Sequence, residues 1–334
     1  MPTNHPIIVV LDDFERSAHT FAPAKAWAAI ESNAMVHVHT SSLRGAPLIA
    51  AIEDAQVIVL MRDRTPIDEA LLAQLPRLKY IVFTGARNGL IDMAAVTKRG
   101  IHVSYTEFGP SKDATAELTI ALLLASFKRL DLHLQTAGSA RADAWRPGPV
   151  FQMPKLVRGA TLGLIGLGAI GSKVATIAQA MGMPIVTWSP NMTPERAQAQ
   201  SAKAVSLPEL LATSDVVSLH MVLAPATRHL IAKDRLLQMK KGAVLINTSR
   251  SGLIDETALI AALSSGHLSC AAVDVFDVEP VPVDYPLTKA PNVITTPHLG
   301  FVIEPVYENF WAGVTEALQA WLSNQVLPRP YLGD

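Results

Sequence analysis

The sequence contains a single cysteine, Cys270, in 334 residues. One thiol excludes a disulfide framework and a Cys/His zinc cluster, and it fits a reducing, cytoplasmic setting. Cys270 sits beside Ala271 and Val273 in a strand-like run, so it reads as inert core. An excess charge of either sign is also missing, with 28 Lys+Arg against 29 Asp+Glu. Nucleic acids and anionic membrane surfaces call for a basic face, so neither is an expected partner. Hydrophobic residues make up 49% of the chain, yet no apolar run approaches the ~20 residues that span a bilayer. The longest, 118–127, reads as a buried helix. The opening MPTNHPIIVVLDD lacks the basic region and cleavage site of a secretory leader, so none is expected. At this length about two domains are the natural expectation.

Short apolar segments alternate with helical stretches along most of the chain, the pattern of an α/β protein. The first group of expected strands covers 7–11, 35–39, 57–61, 80–84 and 101–104, with helices at 67–73 and 92–99 among them. A long helix over 113–132 leads into a polar segment, 138–148. A second group follows at 185–189, 216–220, 243–248, 271–275 and 293–295, and a last helix covers 304–322. No repeat and no low-complexity run interrupts this pattern.

Residues 161–171 read TLGLIGLGAIG. An apolar strand runs into Gly166-x-Gly168-x-x-Gly171, and Ala169 and Ile170 open the helix that follows. This strand–turn–helix context gives the glycines meaning. Gly166 permits the tight turn, Gly168 lets a pyrophosphate approach the backbone, and Gly171 lets helix and strand pack closely. The free N–H groups and positive end of the helix face the phosphates. The motif begins after about 160 residues, so another domain must precede it. The expected fold is therefore two doubly wound parallel-sheet domains. A Rossmann dinucleotide-binding domain, 107–299, is inserted into a flavodoxin-like domain made of 1–106 and 300–334. The crevice at their junction is the expected active site.

Three later strand ends carry chemistry. INTSRSG places Arg250 just beyond an apolar strand, a planar fork suited to a carboxylate and a ketone oxygen together. AAVDVFDVEP places Asp274 and Glu279 after the next strand, and NVITTPHLG places His298 after the one following. Strand ends on one edge converge, so Arg250, Glu279 and His298 can meet. A histidine is suited to give a proton to a carbonyl oxygen as hydride arrives and to take it back in reverse. A carboxylate on its other nitrogen fixes the tautomer. His220, ending the 216–220 strand, and Thr248 read as lining the cofactor cleft.

These segments, in this order, resemble the D-isomer-specific 2-hydroxyacid dehydrogenase family over nearly the whole length. The resemblance implies an oxidoreductase that interconverts a 2-oxoacid and a D-2-hydroxyacid with NAD or NADP. It implies that 1–106 with 300–334 is the substrate domain. Arg250 would bind substrate carboxylate and carbonyl, His298 would act as acid/base, and Glu279 would be its partner. Asp274 matches the acid that holds the nicotinamide carboxamide, with a structural strand-end role as the alternative. The segment FTGARNGLID looks like the family's carboxylate-binding loop, with Gly85, Ala86 and Arg87 as substrate-binding candidates. Arg87 stands where many members have a second glycine, and it reads equally as a substrate contact or a surface ion pair. Thr115 matches the start of the interdomain helix near the nicotinamide. The family is usually dimeric through its dinucleotide domain, so a homodimer is expected, with apolar residues over 118–150 as its interface.

The chain departs from the family at the ribose. An NAD site wants an acid about 20 residues past the glycines. Here the strand ends in Ser189, followed by Pro190, Asn191, Met192 and Thr193. No acid stands there to repel a 2′-phosphate, while Ser189, Asn191 and Thr193 can donate to one. Arg196 is the nearest arginine. NADP is favoured over NAD. No metal site is expected, because His102, His133, His229 and His267 show no ligand spacing.

Formate dehydrogenases, with the same fold and Arg–His pair, place a glutamine where Glu279 stands, and are disfavoured. A short-form phosphoglycerate dehydrogenase stays open as the specific activity. So does a non-enzymatic NAD(H)-sensing protein akin to corepressors built on this fold, since those keep the same trio.

Overall fold

The computed structural model describes residues 5–132 and 153–333. His133, the polar segment 138–148 and much of the expected dimer surface lie outside the described residues. The chain divides into two compact units, 1–110 with 303–334 and 111–302. The cuts fall a few residues beyond the expected 106 and 299, because the helix Ser111–Lys128 belongs whole to the second unit.

The first unit is built on five parallel strands: β1 (Ile7–Leu11), β2 (Met35–Val38), β3 (Val57–Leu60), β4 (Tyr80–Phe83) and β5 (His102–Tyr105). Their order is β2-β1-β3-β4-β5, the flavodoxin-like winding. β3 and β4 are buried along their whole length, as parallel strands covered on both faces are. One face packs Leu48, Ile52, Leu72, Val96 and their neighbours. The helix Glu304–Leu322 supplies Val306, Phe310, Trp311, Val314 and Leu318 to this unit's interior. Trp311 meets Trp27 edge-on at 5.4 Å and donates Nε1–H to Ser17 Oγ at 2.8 Å.

The second unit holds seven parallel strands: β6 (Leu162–Ile165), β7 (Ile185–Trp188), β8 (Lys203–Ala204), β9 (Val216–Leu219), β10 (Val244–Asn247), β11 (Cys270–Val273) and β12 (Val293–Thr295). Their order is β12-β11-β10-β9-β6-β7-β8. The winding reverses between β6 and β9, and that reversal opens a crevice at the carboxyl ends of the strands. The helix Ser111–Lys128 covers one face, with Ile120, Leu123 and Phe127 against Leu164, Val174 and Ile246. Arg129 follows at φ 52 and interrupts the helical stretch expected up to 132, which resumes over 130–132. Cys270 is fully buried in β11, and burial pushes its thiol up to about 11. Among the described residues, no helix is long and apolar enough to cross a membrane.

Candidate active site

The second unit gathers its chemistry on one sheet edge. Gly166 follows β6 at φ 101, and a Cβ there would collide with the His220 carbonyl that follows β9. A Cβ on Gly171 would strike the carbonyl of Gly166. These two glycines let helix Ala169–Ala180 and the two switch-point strands approach. Gly168 is different: it is exposed, and an added Cβ would meet nothing within 4 Å. Ala169 is exposed at the first position of the helix, while Ile170 is half-buried and packs on the core.

Beyond β7 the chain turns at Ser189, whose carbonyl accepts Met192 N–H at 3.1 Å. Thr193 caps helix Pro194–Gln198, accepting Arg196 N–H at 3.3 Å. The Glu195 backbone N–H and the Thr193 hydroxyl beside it hold the Glu195 carboxyl below its usual range. Thr193 therefore sits at a helix start, its hydroxyl oxygen accepting a backbone N–H. Arg196 folds back instead, donating from Nη1 to Asn191 O at 2.6 Å. A guanidinium therefore stands beside the loop that follows β7.

His220 is half-buried, with Nε2 2.9 Å from Ser218 Oγ. Burial pushes its pKa down to about 4, so the ring is neutral near pH 7. Thr248 is buried and shares a 2.8 Å hydroxyl contact with Thr119. That contact ties the end of β10 to helix Ser111–Lys128. Arg250 is exposed at the end of the same segment. Its turn is held by Asn247, which accepts Ser249 N–H at 3.0 Å and donates to Arg250 O at 2.9 Å.

Asp274 lies 1% exposed at the end of β11. Burial pushes its carboxyl up, against hydrogen bonds that hold it down. Oδ1 accepts from Thr296 Oγ1 at 2.6 Å and Leu299 N at 2.7 Å, and Oδ2 accepts from Gly300 N at 2.9 Å. The carboxylate thus clasps the turn that carries His298, which itself has φ 55. These bonds brace the turn, and Oδ2 keeps a second lone pair. Thr115 fastens the same turn, donating to Gly300 O at 2.7 Å.

Glu279 and His298 meet, Oε2 to Nδ1, at 2.7 Å. Oε1 of the same carboxylate accepts Phe276 N–H at 2.9 Å. Phe301 meets the imidazole edge-on at 5.8 Å. The acid and base stand about one-third exposed, at 36% and 30% of their side-chain surfaces.

In the first unit, Gly85 has φ 97 and donates N–H to Thr106 Oγ1 at 2.9 Å. Its amide is committed within the fold, which narrows the substrate-binding expectation to Ala86 and Arg87, both exposed. Sequence reading missed Arg62. This residue is 8% exposed at φ 62, with its guanidinium 4.2 Å from the Phe108 ring centroid. A Cβ on Gly85 would collide with its Nη1. The signal was present in VIVLMRD, an arginine just beyond an apolar strand, the same logic that singles out Arg250.

The model of the D-isomer specific 2-hydroxyacid dehydrogenase NAD-binding domain matches residues 120–300. A glyoxylate reductase of Aeropyrum pernix is 37% identical over 286 residues, covering 84% of each chain. A D-3-phosphoglycerate dehydrogenase of Mycobacterium leprae is 34% identical over 84% of this chain but only 52% of its own length. This chain thus spans about half of that relative. A phosphoglycerate oxidoreductase structure from Vibrio cholerae superposes with TM-score 0.86 at 30% identity, over 96% of this chain and 99% of that one. The chain belongs to the D-isomer-specific 2-hydroxyacid dehydrogenase family, oxidoreductases acting on CH–OH donors.

Proposed function

We propose that this chain interconverts a small 2-oxoacid and its D-2-hydroxyacid, with His298 moving the proton and Glu279 supporting it. The 2.7 Å bond between Glu279 and His298 carries this reading. A carboxylate on Nδ1 leaves Nε2 as the nitrogen that exchanges a proton with substrate and favours the imidazolium. In reduction His298 gives that proton to the carbonyl oxygen. In oxidation it takes the hydroxyl proton. Arg250, on a turn braced by Asn247, pairs with the substrate carboxylate and polarises the carbonyl. In the first unit, the exposed Ala86 and Arg87 offer amide donors suited to a carboxylate.

The nicotinamide, when bound, supplies or accepts the hydride. The open face of Gly168 fits its pyrophosphate. The Ala169 helix start offers N–H groups, and Ser189, Asn191 and Arg196 stand at the ribose end. NADP is favoured over NAD, supported by Arg196 on the Asn191 carbonyl and by the lack of an acid over 189–193. His220 and Thr248 line the same edge.

Glyoxylate is the first substrate to test, given the relative matched over most of both lengths. A phosphorylated 2-oxoacid is the second reading. It has one observation in its favour, the buried Arg62 charge packed against Gly85. Turnover of glyoxylate, hydroxypyruvate, phosphohydroxypyruvate and bulkier 2-oxoacids with NADH and NADPH tests the whole reading. No reduction of any acid with either cofactor would overturn it. A homodimer is part of the proposal, supported by exposed Met153 and Leu156, at 79% and 69%. Light scattering of the purified protein reads the mass directly.

A further inference from the structure

Between β11 and β12 the chain carries Tyr285, 7% exposed, its ring edge-on to Phe276 at 5.8 Å. The phenol donates to Glu256 Oε2 at 2.6 Å and accepts Asp277 N–H at 3.2 Å. Its two partners stand on different segments. Glu256 begins the helix Glu256–Ser264 that follows the Arg250 turn. Asp277 adjoins Phe276, whose amide holds Glu279 Oε1. One hydroxyl thus bridges the segment bearing Arg250 and the segment bearing Glu279.

We infer that Tyr285 and Glu256 are positioning residues that hold Glu279 against His298 and keep its loop in register with the Arg250 turn. This rests on the proposed acid–base role of Glu279 and His298. Residues 276–280 lie outside any helix or strand, so no regular backbone ladder fixes the Glu279 oxygen to tenths of an ångström. A phenol anchored on a carboxylate supplies a charge-assisted bond at a fixed point, stronger than a neutral one. Burial and the neighbouring Asp277 charge push the Glu256 carboxyl up, so the bridge is also the partner that keeps this acid satisfied. Placement matters because small misplacements of reacting groups carry large rate penalties.

Steady-state 2-oxoacid reduction by Tyr285→Phe tests this, together with Glu279→Gln, His298→Asn and the double variant Tyr285→Phe/Glu279→Gln. Tyr285→Phe keeps the ring and loses the bridge. Its kcat should fall about tenfold, and the pH midpoint of kcat/KM should move, with cofactor affinity and melting temperature retained. Glu256→Ala should match it, and Glu256→Gln, which still offers an oxygen, should recover most of the rate. The double variant should be no slower than Glu279→Gln, because the hydroxyl acts through that carboxylate. Wild-type kcat and pH midpoint in Tyr285→Phe overturn the inference, as does full additivity in the double variant. A loss that tracks melting temperature or cofactor affinity marks a merely structural role and also overturns it. Should Tyr285→Phe not fold, Glu256→Ala reads the same bridge from its other end. If Glu279→Gln and His298→Asn keep full turnover, the acid–base reading itself fails. If they lose turnover while Tyr285→Phe keeps it, only the bridge fails.

Discussion

Glu279 grips His298 with one oxygen and its own loop with the other: Oε2 lies 2.7 Å from Nδ1, and Oε1 accepts Phe276 N–H at 2.9 Å. The acid is fixed at both ends, so the imidazole it holds has little rotational freedom. General acid–base help of this kind is worth roughly 10²–10⁴ in rate. His298→Asn should therefore lose 2-oxoacid reduction while still quenching NAD(P)H fluorescence on binding. Glu279→Gln should fall by about 10² in kcat. Unchanged kcat in the histidine variant would remove it from its role.

The glycine turn lets folding and cofactor binding be tested apart. Gly168→Ala adds a methyl group where the protein has nothing within 4 Å, so its melting temperature should hold while KM for the cofactor rises about tenfold or more. Gly166→Ala places a Cβ against the His220 carbonyl at a positive φ and should destabilise by about 1–3 kcal/mol. Equal cofactor KM in Gly168→Ala and wild type would move the pyrophosphate elsewhere.

Arg196 can be tested apart from the fold, because its guanidinium donates to an exposed loop carbonyl. Arg196→Ala should raise KM for NADPH about tenfold and leave NADH nearly unaffected, consistent with one charge-assisted phosphate contact. A parallel loss with both cofactors would mean the arginine only braces the loop.

The neutral His220 predicts an acid-side loss of stability. Its folded pKa, about 4, lies below the ordinary 6.5. Above pH 6.5 both folded and unfolded chains hold it neutral, and nothing is lost. Below that the unfolded chain takes up a proton that the folded one refuses, so stability drains between pH 6.5 and about 4. Water reaching the half-buried ring trims the effect to on the order of 1 kcal/mol between pH 7 and 5. Urea unfolding at both pH values should show a smaller drop for His220→Gln than for wild type. An identical drop would assign the acid limb to other groups.

The helix Glu304–Leu322 and most of the strands were legible because apolar periodicity reports burial directly. The two-residue strand Lys203–Ala204 carries no such pattern and pairs only at the sheet's rim, so it was invisible. Order along the chain brought Arg250, Glu279 and His298 to one edge in advance, since parallel strands end together. Individual hydrogen atoms were another matter. That Gly85 gives its amide to Thr106, or that Thr193 caps a helix, depends on turns of two or three residues with no periodic signature. The Tyr285–Glu256 bond joins residues far apart in sequence that only the packed sheet edge brings together.

Thr115 and Gly300 stand near opposite ends of the second unit in sequence, yet Thr115 Oγ1 donates to Gly300 O at 2.7 Å. The insertion therefore starts and finishes at one spot. Closing a loop whose ends already touch adds little entropic burden to the host fold. Such a segment suits excision as a free-standing polypeptide, circular permutation, or exchange with the corresponding piece of a relative. A swap of that kind would let the nucleotide preference be transplanted while the host's own five-stranded sheet stays untouched.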